Sequence, residues 1–327
     1  MVEVFYSPQY VGAAYAFATT RKAKWVADSL GRAPIPGVEL VSPPSLSREI
    51  LVRVHDPAYV NAVQTGAPRG MAESQGFGWD TGLSPMVLAS NGGAVAAGLA
   101  ALKSGVAGSL SSGLHHARRD HGAGFCTFNG LAIAAREALD AGAASVLILD
   151  LDAHCGGGTA SLIAEEPRIW QVDVSVDHFD RYESRERARL HIVGDSGEYL
   201  AEIERSLEDV RKQGPHFELC LYNAGMDPFE GCDIGGLTGM TREILAAREQ
   251  MVFDWCRERE LPIAFVLAGG YVGGRLDEEG LVDLHRLTLS AAAMSSELSV
   301  LGTGARKRSE CRPIGVDVGG VDVGVRR

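Results

Sequence analysis

The second half of the chain is punctuated by short, almost unbroken apolar runs at 146–152, 170–176, 219–224 and 264–267. Runs of this length without polar alternation suit strands buried on both faces, as in parallel sheets. Longer amphipathic segments at about 197–212 and 241–260 separate them and read as helices. Upstream, residues 2–6 (VEVFY) read as a first strand. Helical segments follow at 22–30, about 58–64, the small-residue stretch 90–104 and 129–141.

Strand, loop and helix in alternation predict one α/β domain, a doubly wound, mainly parallel sheet flanked by helices. Ligands of such sheets bind beyond the carboxyl ends of the strands. The polar residues that stand out all follow predicted strand ends: Asp150, Asp152 and His154; Ser175, Asp177 and His178; 227–233; and Gly269-Gly270-Tyr271. No Pro/Ser-rich linker and no internal repeat divides the chain. From about 295 the sequence turns Gly/Val/Arg-rich and loses helical period. The domain is therefore drawn at 1–294, with 295–327 as a tail, poorly packed or disordered.

Composition narrows the field. The 327 residues are 46% hydrophobic, with mean hydropathy close to zero, as in an ordinary soluble chain. No uninterrupted apolar run approaches ~18 residues, and the N-terminus lacks a signal-peptide pattern. A cytoplasmic location with no membrane partner is the expectation. A net charge of −11 argues against nucleic-acid binding. The six cysteines (126, 155, 220, 232, 256 and 311) show no CxxC spacing, so neither a zinc ribbon nor a disulfide framework is indicated.

The chemistry concentrates in two segments, SGLHHARRDHGAGFCTFNG and LDLDAHCGGGT. Asp150, Asp152 and His154 alternate directly after an apolar strand and could share one face. Two carboxylates and an imidazole are costly to bury unless paired or bound to a cation, and they suit a divalent metal such as Zn²⁺ or Fe²⁺. Paired imidazoles at His115 and His116 supply proton transfer for a metal-activated water. The competing plain readings are a helix cap for the Asp and surface positions for the histidines. GGGT lacks the Gly-Lys-Ser/Thr ending of a phosphate loop.

Four motifs then occur in order: HHARRDHGAGFCTFNGLAIAA, LDLDAHCGGGT, NAGMDPFEGCDIGGLT and VLAGGY. Over about residues 2–292 the chain resembles the zinc-dependent deacetylases, namely histone deacetylases, acetylpolyamine amidohydrolases and their bacterial relatives. The resemblance implies the arginase-deacetylase fold. It implies metal ligation by Asp152 and His154, with Asp150 orienting His115 and helping to hold a structural K⁺ with the backbone near Ser175. It implies His116 as general base and Tyr271 as the group that polarises the carbonyl. Phe125 would wall an acyl-lysine channel beside Gly124, and Asp80 would grip substrate at the rim. The implied substrate is a small acylated amine or acetyl-lysine.

The chain departs from that pattern at three points. Relatives carry the third ligand five positions after the Asp of the GxD element, where this chain has Cys232. Either the loop bulges and Asp233 ligates, the favoured reading, or Cys232 supplies a thiolate, and Asp227 is read as structural. Cys155 stands where relatives have a second His. Gly157 stands where they have a polar residue that orients the second imidazole, with Asp177 and His178 as candidate substitutes. These departures motivate an alternative, a degenerate relative that binds acylated ligands without turnover. A ureohydrolase resembling arginase is a third reading, disfavoured because it needs further Asp ligands for two metals.

Overall fold

The apolar runs form the middle of an eight-stranded sheet in which every neighbouring pair is parallel. The computed structural model describes the backbone of residues 1–13 and 18–310 and the side chains of 1–13 and 20–298. Along the chain come β1 (Val2–Phe5), α1 (Ala18–Arg32), β2 (Val38–Val41), α2 (Arg48–Leu51), α3 (Pro57–Thr65) and α4 (Arg69–Ala72). Then follow α5 (Leu83–Ser104), β3 (Val106–Ser109), α6 (Gly130–Asp140), β4 (Val146–Asp150), α7 (Gly157–Ile163) and β5 (Ile169–Ser175). The chain continues through β6 (Ala188–Ile192), α8 (Tyr199–Gln213), β7 (Leu219–Ala224), α9 (Arg242–Glu258), β8 (Ile263–Leu267) and α10 (Glu278–Glu310).

Strand order is β2-β1-β3-β8-β7-β4-β5-β6. Successive residues of β4 bury to opposite faces. Leu147 and Leu149 join the core under α1, α8, α9 and α10, while Val146 and Ile148 join the core under α3, α5 and α6. Each such aliphatic side chain stabilises by roughly 1.5–3 kcal/mol when fully buried. The strand is therefore held firmly on both sides just before it delivers Asp150.

Three strands carry no sequence signal of the central kind. β2 and β6 are edge strands with partly exposed residues, and β3 reads Val-Ala-Gly-Ser, too small to register as an apolar run. α5 is long and apolar enough by composition to cross a membrane, yet 67% of its most apolar window is buried inside the fold. α10 continues through residues 295–310, where a tail was expected, and residues 311–327 lie outside the described part.

Candidate active site

The loop after β4 and the loop after β7 bring three donors together. Asp152 Oδ1 accepts the His154 backbone N–H at 3.0 Å, and its Oδ2 accepts Gly269 N–H at 2.8 Å. Asp227 Oδ1 accepts Ala153 N–H at 3.0 Å. These backbone bonds leave His154 Nδ1 3.1 Å from Asp152 Oδ1 and 3.1 Å from Asp227 Oδ2. One donor atom from each of the three residues lies within 4.8 Å of the others, all buried.

This set fits a divalent cation. Asp227 Oδ2 is buried with no aligned hydrogen-bond donor, a state that buried oxygens rarely tolerate. Burial opposes the charge on Asp152, but His115 and His154 hold it well below the usual carboxylate range. Burial and the neighbouring Asp152 push Asp227 up to about 6. His154 resists protonation by its burial, yet the two carboxylates carry it up to about 11. Such a cluster needs a positive charge among its lone pairs, and two carboxylates with one imidazole match zinc or ferrous iron.

His115 and His116 stand beside it with ring centroids 3.9 Å apart. Asn129, the N-cap of α6, holds their loop by donating to the carbonyls of His115 and Ala117, each at 3.2 Å. His115 Nδ1 lies 2.8 Å from Asp150 Oδ2, while Asp150 Oδ1 accepts Asn223 Nδ2 at 2.7 Å. His116 Nδ1 lies 3.0 Å from Asp180 Oδ2. Burial lowers both imidazoles, but Asp150 and Asp152 carry His115 up to about 10. His116, beside the charge of His115, is pushed down to about 4. Adjacent groups driven apart in this way suit one base and one acid.

A cavity of about 70 Å³ opens over the pair and reaches Asp152, Gly124, Phe125 and Tyr271. Phe125 stacks on Phe77 at 5.7 Å and 24° and sits 6.4 Å from the Tyr271 ring. A Cβ at Gly124 would come within 2.4 Å of His116 Cδ2, so only glycine lets the loop pass the imidazole. Burial and Asp227 raise the Tyr271 phenol, keeping it a proton donor. Phe179, half-exposed, meets the His116 ring edge-to-face at 4.9 Å and 90°.

Several expected residues lie elsewhere. Asp233 is exposed and accepts Gly274 N–H at 3.2 Å, because its loop turns it toward residues 273–274. Cys232 directs its thiol to the Met226 carbonyl at 3.6 Å, and burial pushes that thiol up to about 12. Neither joins Asp152 and His154, so the third donor is corrected to Asp227. Asp80 accepts Gly82 N–H at 2.6 Å at the start of α5. The partner of His116 is corrected from Asp177 or His178 to Asp180; Asp177 instead accepts Phe179 N–H at 2.6 Å. Asp227 was visible in its motif. Nothing short of the folded loop marked Phe179 or Asp180.

Comparison with known proteins follows the same lines. The histone deacetylase domain matches residues 17–280. An uncharacterized protein of Picosynechococcus sp. is 34% identical over 261 residues, covering 78% of this chain and 85% of that protein. Histone deacetylase 2 of Arabidopsis thaliana is 28% identical over 272 residues, covering 76% and 67% respectively. The crystal structure of the HDA15 HD domain superposes with a TM-score of 0.75 at 18% identity, covering 94% of this chain and 95% of that one. The acetylpolyamine aminohydrolase from Burkholderia pseudomallei gives 0.74 at 17% identity, covering 89% and 98%.

Proposed function

This chain belongs to the histone deacetylase family, and we propose that it is a metal-dependent amidohydrolase that removes an acyl group, acetyl first of all, from an amine. Acetyl-lysine and acetylated polyamines are the substrates of choice. The observation that carries the reading is the grouping of Asp152, His154 and Asp227 within 4.8 Å of one another, beside a cavity that His115, His116 and Tyr271 line.

Asp152, His154 and Asp227 would hold the metal, zinc or ferrous iron, which supplies Lewis acidity toward the amide carbonyl and the attacking water. The remaining work belongs to the chain. The Tyr271 hydroxyl donates a hydrogen bond to the carbonyl oxygen and stabilises the charge that develops there. His116, neutral in its setting, accepts the proton of the attacking water at Nε2 while Nδ1 faces Asp180. A protonated imidazole then returns a proton to the nitrogen of the leaving amine, without which that amine is a poor leaving group. His115, tied to Asp150, keeps positive charge beside the reacting centre. Phe125 and Phe77 line the cavity with apolar surface suited to an alkyl-amine stem, and Phe179 packs against the His116 ring beside it.

The test is hydrolysis by the zinc-loaded protein of an acetyl-lysine peptide, acetylputrescine and acetylspermidine, each with and without a chelator. Chelator-sensitive turnover that collapses in Tyr271→Phe supports the reading, and the preferred substrate names the class. Zinc-loaded, folded protein that hydrolyses no member of the panel would overturn it.

A further inference from the structure

The loop after β5 reaches back over the histidine pair in a way that no plain surface loop needs. Asp180 adopts φ +59°, a left-handed conformation that costs a non-glycine residue on the order of 1 kcal/mol or more. Leu114, directly before His115, and Phe125 share that backbone region, at φ 56° and 65°. Strain therefore gathers around the imidazoles. In this conformation Asp180 Oδ2 meets His116 Nδ1 at 3.0 Å and accepts Gly158 N–H at 3.0 Å. Its Oδ1 pairs with the Arg118 guanidinium, which also donates to the Gly157 carbonyl at 3.0 Å. The Asp180 side chain is only 8% exposed.

Gly157 makes the room. A Cβ there would stand 2.3 Å from the Asp180 carbonyl oxygen and 2.7 Å from its Oδ1. A side chain at 157 would therefore collide with both the backbone and the carboxylate of Asp180 and push this loop away from His116. The bond from Cys155 N–H to the Phe179 carbonyl, 3.0 Å, pins the same loop to the metal-donor segment.

We infer that Asp180, braced by Arg118 and admitted by Gly157, is the positioning residue that fixes the orientation and tautomer of His116. The carboxylate accepts a hydrogen bond from Nδ1–H, which keeps the proton on that nitrogen and leaves the Nε2 lone pair for the substrate side. The inference rests on the reading of His116 as the proton acceptor of an amide hydrolysis. It adds that this chain supplies the orienting carboxylate from the loop after β5, with a glycine where a side chain would exclude it.

The first measurement is ¹⁵N NMR of histidine-labelled, zinc-loaded full-length protein. A His116 Nδ1–H signal is expected in the native chain and should be lost or shifted in Asp180→Ala, whether or not a substrate is turned over. Kinetics supply the second readout. Asp180→Ala should lower kcat about 10- to 100-fold, with KM and zinc content unchanged, and Asp180→Asn should act in the same direction if the alanine variant folds poorly. Gly157→Ala, whose Cβ would meet both the Asp180 carbonyl oxygen and its carboxylate, should displace the same loop and lower kcat in the same direction. A His116 signal identical in native protein and Asp180→Ala overturns the inference, as does a zinc-loaded variant with native kcat. If the native chain hydrolyses nothing, the functional reading fails, while the NMR comparison still decides the role of Asp180.

Discussion

Asp227 Oδ2 stands 3.1 Å from His154 Nδ1, the same separation as Asp152 Oδ1 from that nitrogen. The symmetry of the two carboxylates about one imidazole makes Asp227 the candidate third donor, although its place in the motif suggested a structural part. Its other oxygen does serve structure by accepting Ala153 N–H, so one side chain covers both tasks.

Asp227→Asn keeps the shape and the backbone bond but removes the charge. Zinc affinity should fall by more than the ~10- to 100-fold that loss of an outer partner costs. Asp233→Ala, altering an exposed residue bonded to Gly274, should keep zinc stoichiometry and activity near native. Metal analysis after dialysis against graded chelator separates the two. Equal zinc loss in both variants, or loss only in Asp233→Ala, would return the ligand to the later position.

Tyr271→Phe leaves the ring that lines the cavity beside Phe125 and His154 and deletes one hydrogen-bond donor. Removing one donor to a developing oxyanion costs about 10²–10³ in kcat. The expected result is that loss in kcat with KM little changed. A variant in which KM rises while kcat stays native would move Tyr271 from carbonyl polarisation to substrate binding.

The parts of this molecule that were legible in the chain are those written in local pattern. β4, β5, β7 and β8 announce themselves because both of their faces are buried, and Asp150, Asp152 and His154 because polar residues there contradict burial. β3 and the edge strands stayed hidden, since Val-Ala-Gly-Ser and the half-exposed β6 lack an apolar run. The errors at the site share one cause. Counting along NAGMDPFEGCD gives order and not direction, and the loop that points Asp227 inward turns Asp233 outward. Asp180 depends on a left-handed backbone and a contact with a residue 64 positions earlier, which no local period encodes.

Behind the metal donors, fully buried Arg248 donates to the Leu151 carbonyl at 3.2 Å and to Glu249 Oε1 at 2.6 and 2.9 Å, and it approaches Met226 Sδ at 3.6 Å. Leu151 and Met226 adjoin Asp152 and Asp227, so the guanidinium ties both donor loops from beneath. Arg248→Met leaves Glu249 buried with Tyr222 as its remaining donor and should cost about 3–5 kcal/mol. Arg248→Met/Glu249→Leu removes both charges and should be more stable than the single variant. Denaturant unfolding gives the ranking, and a single variant as stable as the native chain would dismiss the buried pair as a structural tie.

His55 offers a pH dependence remote from the metal donors. It is fully buried, with Nδ1 2.8 Å from the Arg118 carbonyl and Nε2 accepting Asn129 N–H at 3.0 Å. The neutral ring satisfies both bonds, and a second proton would break the one from Asn129. Burial accordingly pushes His55 down to about 4 from an ordinary 6.5, against the pull of the Arg118 carbonyl. Below about 6.5 the unfolded chain binds a proton that the native ring refuses, so this contribution is whole above that pH and is lost on acidification toward 4. The full shift corresponds to on the order of 3 kcal/mol. Acid also titrates other groups, so the informative quantity is the difference between the native protein and His55→Gln, which can keep a donor and an acceptor without titrating. Urea midpoints measured from neutral pH down to about 4 should converge as the native protein loses its advantage. Parallel curves would mean that His55 titrates alike in both states, and the buried-neutral account would fail.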